Sequence, residues 1–163
     1  MKFLILIAVF LSLILSGCTQ TSLLKNALAY SMQISTGAPP KYKNGVAINR
    51  SYTMKFIYFE STKVKPIIKE LIYNGTLING TEVFLAGNTT VEIGTNKSDG
   101  MPIKLSPSKG NSIWRIEFRT TENQEEKNST AAKSNILIIG KINGKPFSIK
   151  INSQIELKPF IGY

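Results

Sequence analysis

Hydrophobic and polar residues alternate along most of the chain after residue 45, and this period of two predicts β-strands. The segment 51–60 alternates, with Tyr52, Met54, Phe56 and Tyr58 on one face, and the segment 112–120 repeats the alternation around Trp114. Two dipeptides typical of two-residue hairpin turns, Asn79-Gly80 and Asn143-Gly144, each separate two alternating runs. The pattern predicts an all-β domain, an antiparallel β-sandwich (immunoglobulin-like or related) of about seven or eight short strands.

One segment has a different periodicity, in which apolar residues recur at the spacing of a helix face. Pro66 suits a first helical turn, and Asn74-Gly75 suits a helix end. The apolar positions are Val64, Ile67, Ile68, Leu71 and Ile72. This spacing predicts one short accessory helix near 64–73.

The start of the chain carries an export signal. Met1-Lys2 is a short basic segment, and the run from Phe3 to Leu15 is apolar except for Ser12. Such a run is shorter than the roughly 17–25 residues of a membrane-spanning helix. It fits the apolar region of a secretory signal peptide, which has about 7–15 residues.

The next residues, Leu15-Ser16-Gly17-Cys18, resemble the lipobox of prokaryotic lipoproteins: a hydrophobic residue and two small ones before a cysteine. The resemblance covers residues 1–18 only. It implies cleavage before Cys18 and a lipid linked to its sulfur, so that membrane lipid is a partner through Cys18. The implied location is the outer face of the cell membrane.

These signals predict three segments along the chain. Residues 1–17 are expected to be a lipoprotein signal peptide, 18–45 a lipid-anchored tether, and 46–163 a single β-sandwich domain. The tether assignment depends on Gly37-Ala38-Pro39-Pro40, which disfavours a helix. We hypothesise that Lys25, Lys41 and Lys43 add an electrostatic contact with the headgroups; the alternative is that they only keep the tether soluble.

The composition excludes several chemistries. The chain contains 20 Lys and Arg, 10 Asp and Glu, no His and one Cys. It therefore has no disulfide within the chain and no catalytic triad, dyad or zinc site that requires histidine. We expect no catalytic residues, no metal and no cofactor.

Six Asn-X-Ser/Thr motifs are candidate N-glycosylation sites, and all fall in predicted turns or loops, where such an acceptor has to lie. The same motif also arises without a glycan where a threonine begins the strand after an Asn-Gly turn. Glycosylation together with a lipobox would favour an archaeal source over a bacterial one. The candidate asparagines are Asn49, Asn74, Asn79, Asn88, Asn96 and Asn128.

Two further candidate sites lie on the predicted strands. Pairing of Leu85 with Thr89 would place Glu82 opposite Glu92, where two carboxylates can bind Ca²⁺ or act as an acid and base. A solvated pair without function is the favoured interpretation. Trp114 and the aromatic stripe of segment 51–60 are expected in the core rather than on a ligand platform.

Three functions from different classes fit these observations. The first is a surface-anchored lipoprotein with a non-catalytic binding or structural β-domain that contacts envelope polymers or surface proteins. The second, suggested by the net charge of +10, is an anion-binding module for polysaccharide, nucleic acid or lipid headgroups. Of these ligands, nucleic acid is the least favoured. The third is a small extracytoplasmic hydrolase.

Overall fold

The protein is described by a computed structural model over residues 24–35, 41–43, 46–48, 52–120 and 133–161. Within these ranges the regular secondary structure consists of β-strands and includes no helix, which confirms the all-β prediction. The strands are β1 (Lys25–Ser35), β2 (Lys41–Lys43), β3 (Val46–Ile48), β4 (Tyr52–Thr62), β5 (Ile67–Tyr73), β6 (Thr76–Leu77), β7 (Val83–Gly87), β8 (Val91–Thr95), β9 (Pro102–Leu105), β10 (Asn111–Arg119), β11 (Lys133–Ile142) and β12 (Lys145–Ile161).

Eight of these strands form one sheet in the order β6-β5-β11-β12-β1-β4-β10-β7, and β2–β3 and β8–β9 form two small pairs. Neighbours in the large sheet are antiparallel except for β1 and β12, which run parallel with Ala29 opposite Gln154. The sheet is therefore mixed, and the prediction of a purely antiparallel arrangement was wrong.

β12 connects the two halves of the sheet. Its first part pairs with β11 as far as Ser153, and its second part pairs with β1 from Gln154 onward. The sheet curls so strongly that Tyr73 of β5 contacts Phe118 of β10, with ring centroids 5.5 Å apart, although four strands separate them in the sheet. The eight-stranded sheet is thus curled so that its halves face each other, and these halves are not the two separate sheets of a sandwich.

The inner face of the curled sheet holds the main hydrophobic core. Ile57, Phe59, Leu71, Ile116 and Ile138 are completely buried there. Full burial of such a side chain contributes roughly 1.5–3 kcal/mol to stability.

The outer face is covered by the β8–β9 hairpin. Val91, Ile93 and Ile103 from that hairpin pack against a second cluster that contains Tyr30 and Tyr58 of the sheet. The central strands β1 and β4 are therefore covered on both faces, by the core on the inner face and by the hairpin on the outer face. This is the reason that Ala29 and Tyr30, which are adjacent in sequence, are both buried.

The accessory helix predicted near 64–73 was wrong. Residues 67–73 form β5, which pairs with β11 along its length and with β6 at its end. Three of its seven residues are isoleucine, whose β-branched side chain favours strands. Asn74 and Gly75, predicted to end a helix, have positive φ and form the β5–β6 turn.

One segment boundary and one predicted hairpin also differ from the sequence prediction. The segment 18–45, predicted as a tether, contains β1, which lies in the middle of the sheet between β12 and β4. The Asn143-Gly144 hairpin joins β11 and β12 as predicted. Asn79-Gly80, by contrast, connects β6 and β7, which do not pair with each other.

Candidate functional site

The predicted modification sites are only partly within the described structure. Cys18, Asn49 and Asn128 lie outside the described residues. Asn79 and Asn88 are exposed, and Asn74 and Asn96 are half-buried.

Three of these asparagines already make side-chain hydrogen bonds. Asn74 Oδ1 accepts from the backbone N–H of Asn135 at 2.9 Å, and Asn88 Oδ1 accepts from Ser112 Oγ at 2.7 Å. Asn96 Nδ2 donates to Asp99 at 3.0 Å, so its amide nitrogen is engaged within the 96–100 turn.

The predicted pairing of Glu82 with Glu92 was wrong. β7, which follows Glu82, pairs with β10, whereas β8, which contains Glu92, pairs with β9. Glu92 is opposite Lys104 in that register, and their charged groups are 3.6 Å apart on the surface. The two glutamates therefore do not form a carboxylate pair.

Trp114 lies in the core, as predicted. Its side chain is 5% exposed, and its indole Nε1 donates to the backbone carbonyl of Thr62 at 3.0 Å. Of the aromatic stripe on β4, Tyr58 is buried and Phe56 packs against the second cluster. Tyr52 differs, because the guanidinium of Arg119 lies 4.2 Å from its ring centroid.

A buried carboxylate connects three segments at the end of the sheet where β1 begins. Glu60 is 1% exposed, and its oxygens accept hydrogen bonds from Asn111 Nδ2 (2.7 Å), the Ser108 backbone N–H (2.9 Å) and Asn26 Nδ2 (3.1 Å). The hydrogen bond from Asn111 is the main cause that lowers the pKa of Glu60 to about 2. Burial raises this pKa, and the hydrogen bonds from Ser108 and Asn26 lower it further. Glu60 is therefore an ionised hydrogen-bond acceptor that holds β1, β4 and the β9–β10 loop together.

A second polar group lies on the inner face, towards the opposite end of the sheet. Lys55 is 5% exposed and faces inward, with its Nζ 5.6 Å from the ring centroid of Tyr73. Its register partner on β1 is Ser31, also buried. The cation–π contact stabilises an ammonium group at a site with little access to water.

Nearby strands contribute hydrogen-bonding groups to the same face. Ser134 precedes the inward-facing Ile136 by two residues, and Gln154 is opposite the inward-facing Ala29. Ser134 Oγ and Gln154 Oε1 are both buried without a hydrogen-bond partner within the described structure. These groups can accept hydrogen bonds from a water molecule or a small polar ligand.

The outer-face cluster contains one unusual phenol. Tyr30 packs edge-to-face against Tyr58, with centroids 5.7 Å apart, and its hydroxyl has no partner among the described residues. Burial, and then the nearby Tyr58, raise the pKa of Tyr30 to about 12. Tyr30 therefore remains a neutral core residue.

Sequence reasoning missed Glu60, Lys55 and Tyr30 as residues of interest. The alternation of segment 51–60 places Lys55 and Glu60 on opposite faces, but it does not show that both faces are covered. A signal was present for Glu60, because it is the first acidic residue of the chain and lies within an alternating run that is predicted as a strand.

The described residues contain neither a metal-binding cluster nor a membrane-spanning helix. No group of three or more His, Cys, Asp or Glu that could hold a metal occurs within the described ranges. The same part of the chain contains no helix long and apolar enough to cross a membrane. No protein family, curated protein or solved structure matches this chain.

Proposed function

We propose that this protein is a lipoprotein anchored to the outer face of the cell membrane through Cys18, with a non-catalytic β-domain that serves as a binding or structural module. The observation that carries the proposal is the lipobox-like Leu15-Ser16-Gly17-Cys18 directly after an apolar run of secretory length. Cys18 is the only cysteine of the chain.

The environment of the buried charges supports a non-catalytic role. Glu60 is held ionised by three hydrogen bonds, so it is not available as a proton donor near neutral pH. Glu92 is opposite Lys104 on the surface. Glu60 therefore has a structural role, and Glu92 belongs to an exposed ion pair.

The curled sheet supports the role of a scaffold. Its facing halves enclose one core, and we infer that it acts as a β-sandwich-like frame with its ends free to contact partners such as envelope polymers or surface proteins.

Mass spectrometry of the full chain, produced in a host that processes lipoproteins, tests the anchoring. We expect the mature protein to begin at Cys18 with a lipid on its sulfur. Cys18→Ala removes the attachment atom and leaves an unprocessed precursor. Ser16→Ala keeps a small residue in the box and is the matched control, which is processed normally. A free thiol on Cys18 in a chain with its leader intact would refute the proposal.

A further inference from the structure

The fold places a group of lysines at the end of the sheet where β1 begins, which we call the proximal end. β4 and β11 end there, and β5, β10 and β12 begin there. β10 is antiparallel to β4, and the β4–β5 connection, the antiparallel β5–β11 pair and the β11–β12 hairpin place the other strand ends. The lysines at the proximal end, all on strands or turns of this end, are Lys25, Lys63, Lys65, Lys109, Lys141 and Lys145.

Three of these lysines are neighbours of Glu60 or of its hydrogen-bond donors in register or in sequence. Lys25 is the register partner of Glu60 on β1, and Lys63 directly follows the end of β4. Lys109 follows Ser108, whose backbone N–H donates to Glu60. The hydrogen bonds of Glu60 therefore fix the backbone beside these lysines, while the lysine side chains are exposed.

The other three lie across the remaining strands of the same end. Lys141 is opposite Ile67 at the start of β5, Lys145 is opposite Ile142 at the β11–β12 hairpin, and Lys65 precedes β5. All are exposed. The proximal end thus presents cations over its full width.

Few carboxylates offset this charge. Glu60 is buried, and Glu92, on the hairpin that covers the outer face, is 3.6 Å from Lys104. Glu70 lies further along β5, directly after Lys69. At the opposite end the described charges are mixed, because Lys97 pairs with Glu156 and Asp99 lies in the same turn.

The proximal end is close in sequence to Cys18, the proposed site of lipid attachment. Only residues 19–24 separate Cys18 from Lys25. Even a fully extended chain spans at most about 3.6 Å per residue, so Cys18 and the start of β1 lie within about 25 Å of each other. A lipid on Cys18 would hold the proximal end at the membrane surface.

We propose that the proximal end is a docking surface for the anionic lipid headgroups of the membrane that holds Cys18. This inference rests on the proposed lipid anchor and adds the orientation of the domain: the proximal lysines face the headgroups, and the end that bears Lys55 and Tyr73 faces away. Lys41 and Lys43, considered above as membrane contacts, belong to the connection between the far ends of β1 and β4.

Energy transfer from Trp114 to a dansyl-labelled lipid headgroup tests this orientation. Trp114 is the only tryptophan of the chain and is bonded to Thr62 at the proximal end. The mature protein is extracted from membranes and reconstituted into vesicles of phosphatidylcholine, with or without phosphatidylglycerol. We expect stronger energy transfer with phosphatidylglycerol than without it. This increase should disappear in about 1 M salt, where the Debye length falls to about 3 Å.

Charge variants identify the surface. A lysine near an anionic membrane favours the docked state about fivefold, which corresponds to about 1 kcal/mol. Lys63→Gln/Lys109→Gln should therefore shift the equilibrium between docked and undocked states by about 25-fold, whereas Lys63→Arg/Lys109→Arg should preserve docking. Lys97→Gln/Lys158→Gln removes the same charge at the opposite end of the sheet and should change docking little. Circular dichroism checks that each variant is folded.

The possible outcomes separate the two proposals. Absence of lipid on Cys18 refutes the anchor and the orientation together. If Cys18 is lipidated and the protein floats with the vesicles, but both glutamine pairs reduce transfer equally or neither does, the docking surface is refuted and the anchor stands. Loss of transfer in the proximal glutamine pair alone supports both.

Discussion

Asn111 donates its side-chain amide to Glu60 Oε1 over 2.7 Å, which joins the first residue of β10 to the buried part of β4. The same oxygen accepts the backbone N–H of Ser108. A buried carboxylate is costly unless it is hydrogen-bonded, and here three donors compensate it. This arrangement makes the folding stability depend on pH.

The pKa of Glu60 is about 2 in the folded protein against an ordinary value of 4.5. Its contribution to stability is complete above pH 4.5 and is lost as the pH falls towards 2, to a total of about 3 kcal/mol. Glu60→Gln should lower the free energy of unfolding at pH 7 by about 2–3 kcal/mol and flatten its acid dependence.

Urea unfolding between pH 2 and 7 measures both effects. Glu92→Gln is the matched control, because Glu92 is exposed, and its variant should stay within about 0.5 kcal/mol of wild type. Equal acid dependence in the Glu60 and Glu92 variants would contradict the role assigned to Glu60.

Truncation of Trp114 should reveal how much of its stabilisation comes from packing. Trp114→Ala is expected to lower the free energy of unfolding by about 3–5 kcal/mol, since it empties a buried site. Trp114→Phe keeps a ring but loses the bond to the Thr62 carbonyl, so a smaller loss of about 1–2 kcal/mol is expected. Leu85→Ala, at a side chain 52% exposed, should cost less than about 1 kcal/mol. Equal losses for Trp114→Ala and Leu85→Ala would show that the indole is not a core residue.

Gly140 allows β5 and β11 to approach closely. A Cβ at this position would overlap the Ile67 carbonyl oxygen and lie 2.6 Å from Cζ of Phe147. Gly140→Ala should therefore destabilise the fold by about 3 kcal/mol in chemical denaturation. Gly80→Ala meets no atom within 4 Å but has a φ of +71°, and should cost only about 1 kcal/mol. A smaller effect at Gly140 than at Gly80 would disprove this account.

The four described glycosylation motifs should differ in use. In a host that N-glycosylates exported proteins, we expect a glycan on the exposed Asn79 and none on Asn96, whose Nδ2 donates to Asp99. Glycopeptide mass spectrometry reads this directly. Asn79→Gln should remove one glycan mass, whereas Asn96→Gln should leave the mass of the glycans unchanged. The opposite result would show that the local hydrogen bonds do not control modification.

Local chemistry made parts of the fold predictable. Asn143 and Gly144 both have positive φ, as a two-residue hairpin requires, and alternation alone identified Trp114 as a core residue. Asn74-Gly75 and Asn79-Gly80 were also recognised as sites where a regular element ends. Which strands each of them joins is decided by distant residues, and so the Asn79-Gly80 hairpin was predicted incorrectly.

The sheet order could not be read from local patterns. β1 is buried on both faces, so it lacks the alternation of a half-exposed strand, and its neighbour β12 lies near the other end of the sequence. In β5, the apolar residues have the spacing of a helix face, but the segment is a strand. The spacing was misleading because not all of these residues are in the core: Ile67 is 66% exposed. Glu60 was not recognised because its donors come from two segments that are distant in sequence, the start of β1 and the residues 108–111 that lead into β10.

The position of β12 between β11 and β1 has a consequence for how the protein folds. Every pairing in the half-sheet of β1, β4, β10 and β7 can form before β12 is synthesised, but the two halves become one sheet only when β12 joins them. Contacts between residues so far apart in sequence, such as Ala29 and Gln154, make folding slow, because a long loop must close first. The complete sheet can therefore form only after β12, the last strand of the described chain, is available.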